Sequence, residues 1–136
     1  MPVPLVRLII YVQDVAKIKA FYADNFDLPV IEEIKDEWVV FKAGAIEFAL
    51  HLVGEKYRKR PGAEQLGHLE ERPSPKKTCT NTKFVFAIES KLRAHREKLV
   101  AADIKVGKIK RYAGFPYEMY DGYDPEGNVF QVMQYD

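Results

Sequence analysis

A chain of 136 residues with a single cysteine, Cys79, cannot hold an internal disulfide. That excludes the small, stapled, secreted classes and points to a reducing compartment, with the cytoplasm as the expected location. Long apolar runs are missing as well. The opening stretch "MPVPLVRLIIYVQD" carries Arg7 among its few apolar residues and has no basic segment ahead of them, so it reads as neither a signal peptide nor a membrane span. There is no excess of either charge: 21 Lys+Arg stand against 20 Asp+Glu, a net +1. No global field then draws the protein to nucleic acid or to an anionic membrane, and the expected partner is a small molecule met at a local site. The length suits one domain, 1–136, large enough to bury roughly two thirds of the surface its unfolded form exposes.

Residues 54–81, "GEKYRKRPGAEQLGHLEERPSPKKTCTN", sustain no apolar period and are punctuated by proline and glycine. They are read as a linker. Lys56, Arg58, Lys59 and Arg60 cluster there, but Glu55, Glu64, Glu70 and Glu71 dilute them, as in a solvated loop. His68 and Cys79 lack a second pair at ligand spacing and make no zinc motif.

The stretches on either side of this linker repeat each other in kind. In "LVRLIIYVQDVAKIKAFYADNFDLPV", Leu8, Ile10 and Val12 alternate with Arg7, Ile9 and Tyr11, as a strand requires. Asp14 then reads as a helix N-cap, and Val15, Ile18, Phe21 and Tyr22 follow at helical spacing. In "TKFVFAIESKLRAHREKLVAADIKVG", Phe84, Phe86 and Ile88 alternate with Lys83, Val85 and Ala87; Ser90 reads as the cap, and Leu92, Leu99 and Val100 as the buried stripe. Strand patterns follow each helix: "PVIEEI", "EWVVFKAG" and "AIEFALHLV" in the first half, "KVGKIKR", "YEMYDGY" and "NVFQVMQY" in the second. Each half therefore reads β-α-β-β-β. On "AIEFALHLV" the face formed by Ile46, Phe48, Leu50 and Leu52 is apolar, and Glu47, Ala49 and His51 point the other way.

This paired module resembles the vicinal oxygen chelate superfamily, which includes glyoxalases, bleomycin resistance proteins and extradiol dioxygenases. The likeness rests on Asp14 after the first strand, on Phe21-Tyr22 late in the helix, and on "DPEGN" before the last strand. It covers about residues 5–53 and 82–135. It implies an α+β fold in which two βαβββ modules form a curved mixed-sheet cup, many relatives being homodimers. It also implies a divalent metal held by His, Glu or Gln side chains from the first and last strands of each module. Carried over position by position, those strands offer Arg7, then Ala49 (or Glu47 or His51 if the register slips by two), then Lys83 and Gln131.

Arg7 and Lys83 are cations without a lone pair, so no metal or other cofactor is expected. Both are read either as charge for a ligand or as exposed edge residues with solvated tips. Glu47 is read as an ion-pair partner for one of them or as a site group, and His51 as a satisfied strand histidine or a general base. His95, at helical spacing from Leu92 and Leu99, reads as a helix surface or boundary residue. Trp38, Tyr117, Tyr120 and Tyr123 are placed on strands bordering the cup. The expected ligand-binding set is Arg7, Trp38, His51, Lys83, Tyr120 and Gln131, with His51 and Glu47 as the catalytic candidates. The implied function is to bind a small anionic or aromatic molecule without the usual metal. The alternative is a lyase, isomerase or dioxygenase that uses a shifted ligand set, Glu47, His51, Gln131 and Glu118, or a metal-free base.

Overall fold

The computed structural model describes residues 1–58 and 82–136, which fall into two compact units. The expectations placed on Lys59, Arg60, His68 and Cys79 lie outside the described residues. In the first unit, β1 (Arg7–Val12), α1 (Val15–Phe26), β2 (Val30–Ile34), β3 (Trp38–Ala43) and β4 (Ile46–Leu52) follow in order. They form a four-stranded mixed sheet ordered β1-β4-β3-β2, with β1 parallel to β4 and the other neighbours antiparallel. The second unit holds β5 (Lys83–Ala87), α2 (Leu92–Ala101), β6 (Tyr117–Tyr123) and β7 (Val129–Tyr135). Its sheet is ordered β5-β7-β6, again with the first strand parallel to the last. The repeat seen in the sequence is thus a repeat of topology.

Local chemistry sets the ends of α1. Asp14 is extended (φ −128°) and its Oδ1 accepts from the amide of Lys17 at 3.0 Å, satisfying one orphan donor of the first turn. The helix stops at Asp27, which takes the left-handed conformation (φ 53°). Its stripe of Val15, Ile18, Phe21 and Tyr22 is buried, and Tyr22 meets Phe48 of β4 edge-on with centroids 5.1 Å apart. Burying side chains of this size contributes about 1.5–3 kcal/mol each. Between β3 and β4 the loop is two residues long, and Gly44 (φ 71°) supplies its positive dihedral. That loop fixes the register of β3 on β4 and so fixes which side chains meet across them.

In the second unit α2 begins differently from the expectation. Ser90 is not its cap. Lys91 occupies that position in the left-handed conformation (φ 65°) and makes no side-chain cap. The first helical amide, Leu92, instead donates to Oε1 of Gln134 on β7, at 2.9 Å. A long-range side chain has taken over the local capping role. Leu92 and Leu99 are buried as expected, but Val100 is 50% exposed. The strand expected in "KVGKIKR" is also absent as a continuous element. Val106 bridges Gly122 and Lys110 bridges Met119, so one extra residue lies on the outer side between the two bridges and the ladder is broken there.

The turn before β7 forms as the sequence suggests. Buried Asp124 accepts through Oδ1 from the amides of Glu126 and Asn128, at 2.9 and 3.0 Å, and through Oδ2 from the Asn128 side chain at 2.9 Å. Beyond it, Gly122 and Phe130 lie opposite each other, and the fully buried Phe130 ring covers the glycine so closely that an added Cβ would overlap it. No helix among the described residues is long and apolar enough to cross a membrane.

Candidate functional site

Each sheet packs one face on its helix and turns a chemically richer face away from it. In the first unit that second face carries Arg7, Ile9 and Tyr11 of β1, Glu47, Ala49 and His51 of β4, and Trp38 and Val40 of β3. The register pairs Arg7 with Glu47, Tyr11 with His51, and His51 with Trp38. Cross-strand neighbours on one face are in contact distance, so these pairings become contacts. Arg7 donates to Glu47 Oε1 from both Nε (2.8 Å) and Nη2 (2.7 Å), and its guanidinium carbon lies 5.5 Å from the Trp38 ring centroid. Trp38 Nε1 donates to Glu32 Oε2 at 2.6 Å.

The His51 ring has Tyr11 on one side, with centroids 5.1 Å apart, and Trp38 on the other at 5.7 Å. Its Nδ1 lies 2.7 Å from the carbonyl oxygen of Leu52. The side chains of Arg7 and Glu47 are each about one third exposed, while Val40 and Ala49 are fully buried between the polar groups.

In the second unit the matching face brings together Lys83 of β5, Gln131 of β7 and Asp121 of β6. Asp121 is opposite Gln131 in register. Its Oδ1 accepts from Gln131 Nε2 at 2.9 Å and its Oδ2 accepts from Lys83 Nζ at 2.9 Å. Gln131 therefore serves as a donor to a carboxylate that already holds a cation, which accounts for an amide at this point of the strand: a carboxylate there would face Asp121. Asp121 is the site residue that no single stretch of sequence marks. The signal that locates it is the hairpin turn at 124–128, whose register sets residue 121 against residue 131.

Tyr120 is not on this face. It alternates with Asp121, points toward α2, is buried, and its hydroxyl lies 2.5 Å from His95 Nδ1. The expectation that Tyr120 borders the ligand face is corrected by the strand's period of two. Burial pushes its phenol well above the ordinary tyrosine range, so it remains a neutral hydroxyl. The same alternation corrects the shifted ligand set, because Glu118 sits opposite Gln134, the residue that caps α2, and so on the other face from Gln131. Tyr117 and Tyr123 do share the face of Asp121. Arg7, Glu47, Trp38 and His51 are brought together in the first unit, and Lys83 and Gln131 in the second.

These groups do not suit a divalent metal. Glu47 has an oxygen occupied twice by Arg7, the first-strand position of the second unit is a lysine, and Asp121 carries both Lys83 and Gln131. A cation bound there would have to displace a fixed positive charge. Among the described residues no three His, Cys, Asp or Glu side chains converge in a way that could hold a metal ion.

Comparison with known proteins bears on the fold directly. No curated protein matches the chain. Among solved structures, a lactoylglutathione lyase from Agrobacterium tumefaciens superposes with a TM-score of 0.68 at 20% identity, covering 98% of this chain and 94% of that one. A genomically encoded fosfomycin resistance protein from Listeria monocytogenes gives 0.71 at 15% identity, with coverage of 100% and 96%. A virulence protein from Salmonella typhimurium gives 0.66 at 18%, with coverage of 100% and 99%. At these identities the likeness is one of fold. The family model for the Glyoxalase/Bleomycin resistance protein/Dioxygenase superfamily matches residues 5–132, and the chain, with its two β-α-β-type units, belongs to that superfamily.

Proposed function

We propose that this chain binds a small aromatic molecule against the helix-free face of its first sheet and does so without the superfamily's usual metal. The observation that carries this reading is that each cation expected to attract a ligand or repel a metal is paired with a carboxylate of its own sheet. Arg7 is paired with Glu47, and Lys83 with Asp121. Such pairing weakens the attraction of these faces for a free anion and favours the aromatic half of the expectation drawn from the sequence. The row Tyr11, His51 and Trp38 remains, with Tyr11 and His51 exposed, and aromatic walls with a few convergent polar groups are what small-ligand sites present.

Elemental analysis of the purified protein is expected to find far less than one Zn, Ni, Mn or Fe per chain. Aromatic compounds are expected to raise the melting temperature, and simple carboxylates are not. About one transition metal per chain, lost on His51→Ala, would show that the ligand set had been misjudged.

A metal-free enzyme is a second reading. It is favoured by His51, an exposed imidazole on the same face that could accept a proton from a bound substrate. Turnover by metal-free protein, abolished in His51→Phe, would establish it. The working unit is inferred to be a homodimer, since Val85 is exposed on a sheet face of the second unit and Val3, Leu5 and Val6 are exposed just before β1. Light scattering at micromolar concentration is expected to give twice the chain mass, and a monomer mass would remove that part of the reading.

A further inference from the structure

The geometry points to His51 Nε2 as a fixed hydrogen-bond acceptor that selects aromatic ligands bearing a neutral N–H or O–H donor on the ring. This inference rests on the proposed aromatic site and specifies its chemistry. The Leu52 oxygen is a backbone carbonyl and can only accept. In the neutral imidazole, the nitrogen 2.7 Å from it must therefore be the protonated one, which assigns the hydrogen to Nδ1 and the lone pair to Nε2.

That second nitrogen has no hydrogen-bond partner among the described residues. The ring itself is held on both sides by the cross-strand row, Tyr11 from β1 and Trp38 from β3, each opposite His51 in register. Free rotation of the ring would break the Leu52 bond and both ring contacts, so the acceptor is presented in one direction. Two of the other polar groups of this face are engaged within the protein, the Trp38 indole N–H with Glu32 and Arg7 with Glu47.

A ligand ring lying along Tyr11 and Trp38 thus meets an acceptor that faces solvent and is not occupied by a described protein group. A ring N–H or O–H replaces the solvent hydrogen bond of that nitrogen, and a methylated analogue displaces the solvent and leaves the lone pair unpaired. An unmade bond of this kind discriminates more than the bond itself contributes to binding.

The test uses two matched pairs, phenol against anisole and indole against 1-methylindole, titrated calorimetrically into the intact chain. The donor of each pair is expected to bind about 5- to 10-fold more tightly than its methylated partner. His51→Phe keeps a flat ring in the row but has no acceptor, and there the two members of each pair are expected to converge. His51→Gln retains an acceptor oxygen and should keep part of the preference. Equal binding within both pairs by the wild type, or a preference that persists in His51→Phe, would overturn the inference while leaving an aromatic site in place. Failure of all four probes to bind would overturn the site and the inference together. Histidine nitrogen NMR gives a reading free of any ligand: the Nδ1–H tautomer is expected for His51, and the Nε2–H tautomer would overturn the assignment.

Discussion

Phe130→Ala is expected to lower stability by about 3–5 kcal/mol, a large share of the roughly 5–15 kcal/mol typical of a domain. The ring is fully buried and spans the open space above Gly122, so its loss removes apolar contact from both β7 and the strand opposite. The converse change is informative because it adds volume at the same point. Gly122→Ala drives a methyl into a ring that, fully enclosed, has nowhere to swing, and an overpacking penalty of about 1–3 kcal/mol is expected. Joining Gly122→Ala with Phe130→Leu should recover part of both losses, since the smaller side chain vacates the methyl's position. Urea denaturation of the wild type, the two single variants and the double variant measures this, and purely additive losses in the double variant would show that the two sites are not in contact as described.

Gln131→Glu should destabilise the protein increasingly as pH rises. Gln131 gives a hydrogen bond to Asp121; a carboxylate in its place gives none and puts a second negative charge beside the first. Two unit charges about 4 Å apart interact by about 4 kcal/mol at an effective dielectric of 20, which solvent around this half-exposed cluster and the nearby Lys83 reduce to about 1–2 kcal/mol. Repulsion from Asp121 favours the protonated form of the introduced carboxyl in the folded state, so its folded pKa is raised above the unfolded value. A raised carboxyl pKa preserves stability at low pH and removes it as pH climbs from the unfolded value through the folded one. The variant should therefore melt close to wild type near pH 4 and well below it near pH 8. A variant at least as stable as wild type at pH 8 would mean that the introduced carboxylate turns to Lys83 and that Asp121 is not the anchor of the cluster.

Much of the first unit can be read from residues in order, because its local signals agree with its tertiary contacts. The Asp14 cap and the stripe from Val15 to Tyr22 reappear in the structure, and the register of β4 presents the two expected faces, although Ala49 is buried along with Phe48 and Leu50. Once Gly44 is recognised as part of a two-residue turn, the pairing of Trp38 with His51 follows from counting. The second unit is less legible where distant residues replace local ones. Ser90 has the composition of a cap, yet Gln134 does the capping from a strand 42 residues away, and no local pattern records that. Tyr120 is easily placed on the wrong face because an aromatic strand residue says nothing by itself about which way it points. Lys83 and Gln131 stand out as unusual on their strands, but the carboxylate joining them lies on β6 and becomes visible only through the hairpin register. The broken ladder at 106–110 has no sequence mark beyond Gly107.

The dependence of α2 on Gln134 bears on the order in which the chain can assemble as it is made. While residues 83–128 emerge from the ribosome, β5 lacks its hydrogen-bonded neighbour among the described residues and the Leu92 amide lacks its Gln134 acceptor, because both partners lie on β7. The first unit faces a similar wait for β4, with 40 residues separating Arg7 from Glu47, but its helix is capped from the start by Asp14. A nascent chain halted before residue 129 should accordingly carry an ordered first half beside a second half that is still searching. The residues of β7 then act as a latch, converting a helix and two unsatisfied strands into a folded unit in one step.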